Sequence, residues 1–184
     1  MKKLFALVAI LFVSLTVLSA QSFNDSEKWN VYDDKNDRGS STIAKSAKMV
    51  TIDGKELLAV TLTGTVTNKC PHGFAGVAVE GAPATMEALK TASGLTFMTN
   101  GDGKKYRVKV ENSAIKDYDH YGFVFTAPKG APVKIDVPFS KLTQEGWGAK
   151  KKFDTAKNVK LSFQTIGQPH ETYELTVIDL KVTK

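Results

Sequence analysis

The chain has 184 residues, and 25 lysines and arginines against 19 aspartates and glutamates give it a net charge of +6. The basic residues are dispersed apart from the run Lys150-Lys151-Lys152, so the sequence shows neither the basic stripe nor the motifs of a nucleic-acid-binding protein. The single cysteine, Cys70, excludes an intrachain disulfide. We interpret it as a buried thiol beside a turn, because a zinc site needs three or four ligands.

The first twenty residues have the pattern of a cleavable signal peptide. Lys2 and Lys3 precede an apolar run that ends at Leu18, and Ser19 and Ala20 supply small residues at a cleavage point. The run is shorter than the ~20 residues that span a bilayer, which argues against a retained membrane anchor. We therefore expect cleavage after Ala20 and a single secreted or periplasmic domain over residues 21–184, with no membrane span and a net charge of +4 (23 basic and 19 acidic residues).

Alternating apolar and polar residues recur through the rest of the chain, in short stretches separated by Gly, Pro, Asn and Asp. The stretch 58–66 is the clearest, with Leu58, Val60, Leu62 and Val66 on one face and threonines on the other. Only Ala84–Ala92 has a helix-like composition. The pattern predicts about nine strands in an all-β antiparallel sandwich, because each strand has one apolar and one polar face.

The same alternation predicts which side chains are buried and which turns connect the strands. Asp53-Gly54 and Gly101-Asp102-Gly103 are both expected to form tight hairpin turns. The polar face should carry Thr61, Thr63, Arg107, Lys109, Lys160 and Glu174. The core should contain Val60, Leu62, Val77, Val79, Tyr106, Val108, Phe123, Phe125, Leu161, Phe163, Leu175 and Val177.

Few sequence features indicate catalysis. The nucleophile elbow, the zinc-protease helix motif and the phosphate-binding loop are all absent from the sequence. His120 lies beside Asp119 and could act as a general base, although its place on the polar face favours an ordinary solvated histidine. A glycosidase pair of carboxylates can be neither chosen nor excluded from sequence. We expect a protein that is not an enzyme.

Acidic residues near the start of the domain and in its last strand suggest a metal site. Asp33 and Asp34 precede a Gly-Ser turn, and Asp179 lies in the last predicted strand. Calcium prefers several oxygen ligands from carboxylates and turn carbonyls, so these three aspartates could hold a structural calcium ion. A polar loop without metal is the alternative.

Sugar binding is suggested by an aromatic residue near polar side chains. Trp147 lies between Gly146 and Gly148, where an indole is expected to be exposed, whereas Trp29 and Tyr121 are expected in the core. Sugars stack their C–H faces on aromatic rings and offer hydroxyls to polar groups. We predict a ligand site in which Trp147 is the platform and Arg107, His120 and Gln164 donate or accept hydrogen bonds.

The order of several short motifs resembles the CIA30-like domain (complex I intermediate-associated protein 30) and, more loosely, the family 11 carbohydrate-binding modules. These motifs span about residues 25–183 and include Trp29, Asp33-Asp34, Gly39-Ser40-Ser41, Leu62-Thr63-Gly64, Gly73-Phe74, Gly94-Leu95-Thr96-Phe97, Gly101–Tyr106 and Val137-Pro138-Phe139. The chain departs from the pattern at Arg38-Gly39 and at Lys69–Phe74. The resemblance implies a galactose-binding-like jelly roll, with a structural calcium and no other cofactor.

Two functions follow as hypotheses. The first is an exported, non-catalytic module that binds a polysaccharide or another glycan. The second is a periplasmic assembly or structural protein of the CIA30-like type, which uses the same sandwich to contact an envelope protein. An enzyme is the third hypothesis.

Overall fold

The computed structural model describes residues 22–157, 159–167 and 170–184, and the predicted signal peptide lies outside the described residues. Within these ranges no helix is long and apolar enough to cross a membrane. The described residues form ten strands and one two-turn helix. The elements are β1 (Trp29–Asp33), β2 (Thr42–Ile52), β3 (Lys55–Val66), β4 (Ala75–Val79), α1 (Pro83–Lys90), β5 (Gly94–Gly101), β6 (Lys105–Glu111), β7 (Tyr121–Thr126), β8 (Val133–Pro138), β9 (Lys160–Thr165) and β10 (His170–Thr183).

The strands form two five-stranded sheets, both antiparallel. We call β1-β4-β9-β6-β7 the front sheet and β2-β3-β10-β5-β8 the back sheet, in their spatial order. Consecutive strands often lie in different sheets, so the chain crosses repeatedly between the layers. This arrangement confirms the predicted all-β sandwich of the jelly-roll type, and the predicted helix corresponds to α1.

The core lies between the inner faces of the two sheets, where aromatic rings contact one another. The ring of Phe163, in the middle of the front sheet, lies edge-on to Phe97 of the back sheet with centroids 5.2 Å apart. Trp29 stacks parallel to Phe163 at 6.0 Å, and Phe125 meets Phe97 at 5.1 Å. Such aromatic contacts add ~0.5–1.5 kcal/mol each to the burial of apolar surface, so β9 and β5 are joined at the centre of the fold.

The predicted alternation locates the core correctly and misjudges parts of the polar face. Eleven of the twelve predicted core residues are buried, and Phe123 is partly buried against the same cluster. Arg107, which was expected in water, is only 6% exposed. Alternation gives the face on which a side chain lies, but it does not show that a neighbouring loop covers that face.

One of the two predicted hairpin turns is present in the structure, and the other is not. Asp53 and Gly54 both have positive φ, and the flanking residues Ile52 and Lys55 pair directly, so β2 and β3 form the expected hairpin. The turn at Gly101–Gly103 is not a hairpin, because β5 belongs to the back sheet and β6 to the front sheet. A Gly-Asp-Gly signal marks a reversal of the chain but does not determine which strands pair across it.

Candidate functional site

The outer face of the front sheet carries large polar side chains around small residues. We call this surface the front face. The strand pairing places on it Tyr32 of β1, Gly76 and Ala78 of β4, Ser162 and Gln164 of β9, Arg107, Lys109 and Glu111 of β6, and Gly122 of β7.

Two glycines allow the large side chains to lie flat on this sheet. A Cβ atom at Gly76 would lie 2.7 Å from the ring carbon Cζ of Tyr32. A Cβ atom at Gly122 would lie 2.2 Å from Nε of Arg107. Real Cβ atoms do not approach other heavy atoms this closely, so the positions of the phenol ring and of the guanidinium both depend on glycine.

Gln164 is the centre of a hydrogen-bond network on the front face. Its Oε1 accepts from the Tyr32 hydroxyl at 3.1 Å and from Lys109 Nζ at 2.6 Å. The same ammonium lies 5.9 Å from the centroid of the Tyr32 ring, within the range of a cation–π contact. Burial lowers the pKa of Lys109, and it raises the pKa of the Tyr32 hydroxyl. The face therefore presents fixed hydrogen-bonding groups beside an aromatic ring.

Arg107 connects the front face to the loop that carries Trp147. One terminal nitrogen of its guanidinium donates to the carbonyl of Thr143 at 2.5 Å, and the other lies 3.4 Å from the Glu145 carboxylate. Glu145 in turn accepts from the indole Nε1 of Trp147 at 3.3 Å. A chain of contacts thus runs from the middle of the sheet to the exposed indole.

Asp119 anchors this loop through hydrogen bonds to its backbone. Its buried carboxylate accepts three backbone N–H groups, from Glu145 at 2.8 Å, Gly146 at 3.0 Å and Gly148 at 3.1 Å. Asp117 accepts a fourth, from Ala149 at 2.7 Å. Hydrogen bonds to an ionised acceptor are about twice as strong as neutral ones, so the loop has a defined conformation.

The two loops joined by these aspartates form what we call the rim, residues 112–120 and 143–152. Trp147 is 61% exposed on the rim, and Tyr118 is exposed on the neighbouring loop. Tyr118 also has a positive φ of 65°, an uncommon conformation for a bulky residue. A large exposed indole on a hydrogen-bonded loop can offer a flat apolar surface to a ligand at the edge of the front face.

His120 is buried rather than solvated, which corrects the expectation from sequence. Its Nδ1 accepts the backbone N–H of Asn112 at 3.4 Å, and its own backbone N–H donates to the Tyr118 carbonyl at 2.7 Å. Burial, with a smaller contribution from Lys109, lowers the pKa of the imidazole, and the carboxylates of Glu111, Asp117 and Asp119 oppose this effect. The histidine therefore connects the two strands of the β6–β7 pair.

The structure places the four predicted ligand residues in one region. Arg107 pairs directly with Gln164 across β6 and β9, Arg107 reaches the Trp147 loop through Glu145, and His120 immediately precedes β7. Sequence reasoning did not assign Tyr32 or Lys109 to the site. Strand alternation was a usable signal. Tyr32 is three residues after the buried Trp29, and Lys109 is two residues after Arg107, so both are placed on the outer face.

The three predicted calcium ligands are not brought together. Asp33 ends β1 of the front sheet and pairs with Lys35, while Asp179 lies at a bulge in β10 of the back sheet and pairs with Lys181. The two carboxylates therefore belong to strands of different sheets, and each already contacts its own lysine.

The carboxylate of Asp34 is occupied by protein donors. Its oxygens accept from the Ser41 hydroxyl at 2.6 Å, from the Ser41 backbone N–H at 2.9 Å and from the buried Cys70 thiol at 3.6 Å. Within the described ranges no group of three His, Cys, Asp or Glu side chains could hold a metal ion. The arrangement does not fit a calcium site made of Asp33, Asp34 and Asp179, and melting curves with calcium and with EDTA test calcium binding directly.

A separate cleft of about 540 Å³ lies between the segment before β1 and the start of α1. Its walls include Phe23, Asn24, Lys28, Glu80 and Thr85. None of its lining residues belongs to the front face or to the rim.

Comparison with solved structures identifies a similar fold in a carbohydrate-binding module and in an agarase. CtCBM11, a family 11 carbohydrate-binding module, is 15% identical with a TM-score of 0.51, and the match covers 89% of this chain and 95% of that one. An exo-beta-agarase is 15% identical with a TM-score of 0.52, and the match covers 88% of this chain but 24% of the agarase. At these identities the likeness shows the jelly-roll fold alone. Comparison with curated proteins gives no significant match.

A family model confirms the resemblance noted from the short motifs. The model described as complex I intermediate-associated protein 30 (CIA30) matches residues 18–177, most of the chain. The chain belongs to the CIA30 family.

Proposed function

We propose that this protein is an exported, non-catalytic module that binds a polysaccharide on its front face and rim. The observation that carries the proposal is the continuous path from the Tyr32–Lys109–Gln164 network, through Arg107 and Glu145, to the exposed indole of Trp147. The likeness of the fold to a carbohydrate-binding module supports the same conclusion.

The chemistry of the surface suits a sugar chain. Pyranose rings offer C–H faces to an aromatic ring and hydroxyls to hydrogen-bonding side chains, and both types of group are present here. The polar groups are already hydrogen-bonded to one another, so they lose little conformational freedom when a ligand binds.

Family membership favours a second function, the binding of an envelope protein partner during assembly. A protein partner would use the same exposed indole as an anchor, because tryptophan is enriched among the residues that dominate interface energy. The two functions differ in their ligand. A glycan array probed with the purified mature protein tests the first, and a pull-down of protein partners tests the second. Saturable sugar binding supports the first, and capture of a defined protein without sugar binding supports the second.

The direct test of the proposal is the substitution Trp147→Ala. Because the indole is mostly exposed, we expect the free energy of unfolding to change by less than ~0.5 kcal/mol. Glycan affinity should fall by at least ~1 kcal/mol, about fivefold, if the ring stacks on a sugar. Thr63→Ala on the outer face of the back sheet is the control and should change neither quantity. Unaltered affinity in Trp147→Ala would reject the rim as a sugar platform.

A further inference from the structure

The lysines of the rim are concentrated around its two exposed aromatic residues. Lys150, Lys151 and Lys152 follow Trp147, Lys116 precedes Tyr118, and all four lysine side chains are exposed. The Asp117–Ala149 hydrogen bond joins the two loops at 2.7 Å, and each of these residues is a chain neighbour of one of the lysines. Four exposed lysines therefore lie in the two loops that carry Trp147 and Tyr118.

This basic segment is anchored rather than free. The backbone N–H of Lys151 donates to the side-chain oxygen of Gln144 at 2.9 Å, and its carbonyl accepts the Tyr121 hydroxyl at 2.7 Å. Phe153 then packs its ring against Tyr121 at 5.1 Å and against Phe139 at 5.4 Å. The lysine run is thus held against the body of the domain at a fixed place within the rim.

The acidic groups near these lysines are already engaged by other donors. The carboxylate of Asp119 is buried and accepts three backbone N–H groups, and Asp117 accepts the N–H of Ala149. Glu145 contacts Arg107 and the indole of Trp147. Among the described residues no carboxylate lies within ion-pair distance of the four ammonium groups. The positive charge of the rim is therefore available to a ligand.

We propose that the polysaccharide bound by the front face is anionic, and that Lys116, Lys150, Lys151 and Lys152 hold its carboxylate or sulfate groups while Trp147 stacks on a sugar ring. This inference rests on the proposed function and names the chemical class of its ligand. A neutral chain would leave these positive charges uncompensated, apart from the electrostatic interaction of Lys151 with the Asp117 carboxylate. An acidic chain neutralises them, and its acidic groups recur at regular intervals along the polymer.

The experiment uses matched pairs of polymers that differ in charge. Polygalacturonate is compared with its fully methyl-esterified form, and carrageenan, a sulfated galactan, with neutral agarose. We expect the acidic member of at least one pair to bind more tightly. The preference should shrink as salt rises from about 50 mM to about 500 mM, because salt screens exposed charges. A preference for polygalacturonate indicates recognition of carboxylates, and a preference for carrageenan indicates recognition of sulfates.

Two triple variants of equal net charge separate local contacts from bulk charge. Lys150→Gln, Lys151→Gln and Lys152→Gln together should weaken binding of the acidic polymer about tenfold, with an unchanged melting temperature. The control replaces Lys48, Lys55 and Lys129, which are exposed elsewhere, and should retain wild-type affinity.

An equal loss in both triple variants, or equal binding of acidic and neutral polymers, would overturn the anionic ligand while the proposed function stands. Failure of every polymer to bind would reject the proposed function and this inference together.

Discussion

The outer faces of the two sheets differ in how they hold their charged and polar groups. On the back sheet, Thr61 and Thr176 share a hydroxyl hydrogen bond of 2.9 Å, and the side chains of Lys134 and Asp136 form an ion pair while 64% and 60% exposed. On the front sheet, the side chains of Arg107 and Lys109 are 7% and 15% exposed. The Lys134–Asp136 pair on the back sheet is solvated, whereas Arg107 and Lys109 on the front sheet are enclosed by neighbours.

This difference shows how one fold can supply both an ordinary surface and a binding surface. Solvated ion pairs contribute ~0–1 kcal/mol, and their side chains move freely. A connected and largely buried network is fixed in place, and the loss of one member leaves partners unsatisfied. Substitutions on the front sheet should therefore cost more stability than the same substitutions on the back sheet.

The largest effect is expected from Asp119→Asn. One amide oxygen cannot replace a carboxylate that accepts three backbone N–H groups, and the amide nitrogen would face donors. The free energy of unfolding should fall by about 3 kcal/mol. In Asp136→Asn on the back sheet, the exposed control, it should change by less than ~0.5 kcal/mol. Chemical denaturation of both variants measures this difference, and similar losses would contradict the contrast between the enclosed carboxylate of the rim and the solvated one of the back sheet.

A smaller effect is expected from Arg107→Gln. The shorter side chain leaves the Thr143 carbonyl and the Glu145 carboxylate without their guanidinium partner, which should cost about 2 kcal/mol. Lys134→Gln is the matched loss of one positive charge from the back sheet and should cost less than ~0.5 kcal/mol. If Arg107→Gln is as stable as Lys134→Gln, the guanidinium does not hold the rim to the sheet.

The smallest effect is a dependence of stability on pH that comes from His120. Because burial lowers its pKa, the unfolded chain binds a proton more readily than the folded one, and stability falls as the pH drops below about 6.5. Each unit by which folding lowers the pKa of His120 corresponds to about 1.4 kcal/mol in the free energy of unfolding. This contribution is lost in full once the pH is below the pKa of the folded state. Between pH 7.5 and pH 5 the free energy of unfolding should therefore change less with pH in His120→Asn than in the wild type.

The exposed His72 provides the control for this measurement. His72→Asn should retain the pH dependence of the wild type. An identical slope in His120→Asn and the wild type would show that His120 is not the group that titrates.

Alternation predicted the sandwich well because burial on one face of a strand leaves a direct mark on the sequence. It placed Phe163 and Leu175 in the core, and the Asp53-Gly54 turn correctly joined β2 to β3. The Gly101–Gly103 turn was misassigned because strand pairing depends on contacts distant in sequence. In the jelly roll β5 instead pairs with β8 and β10.

The candidate site was less predictable because it depends on a loop folding back over a sheet. The flanking glycines of Trp147 indicated an exposed indole, and the indole is exposed. No local signal showed that Asp119 would bind the N–H groups of residues 145–148, or that this loop would cover Arg107. The burial of Arg107 and His120 follows from those tertiary contacts.

The central claim, that ligand binds the front face and rim, is tested most directly by NMR titration of the mature protein with carrageenan and polygalacturonate oligosaccharides. We predict shifts of the backbone amides in β6, β9 and residues 143–152, and of the Trp147 indole N–H, with little change in β2, β3 and β8. Shifts centred on the back sheet, or on the cleft beside Phe23 and Glu80, would contradict the account.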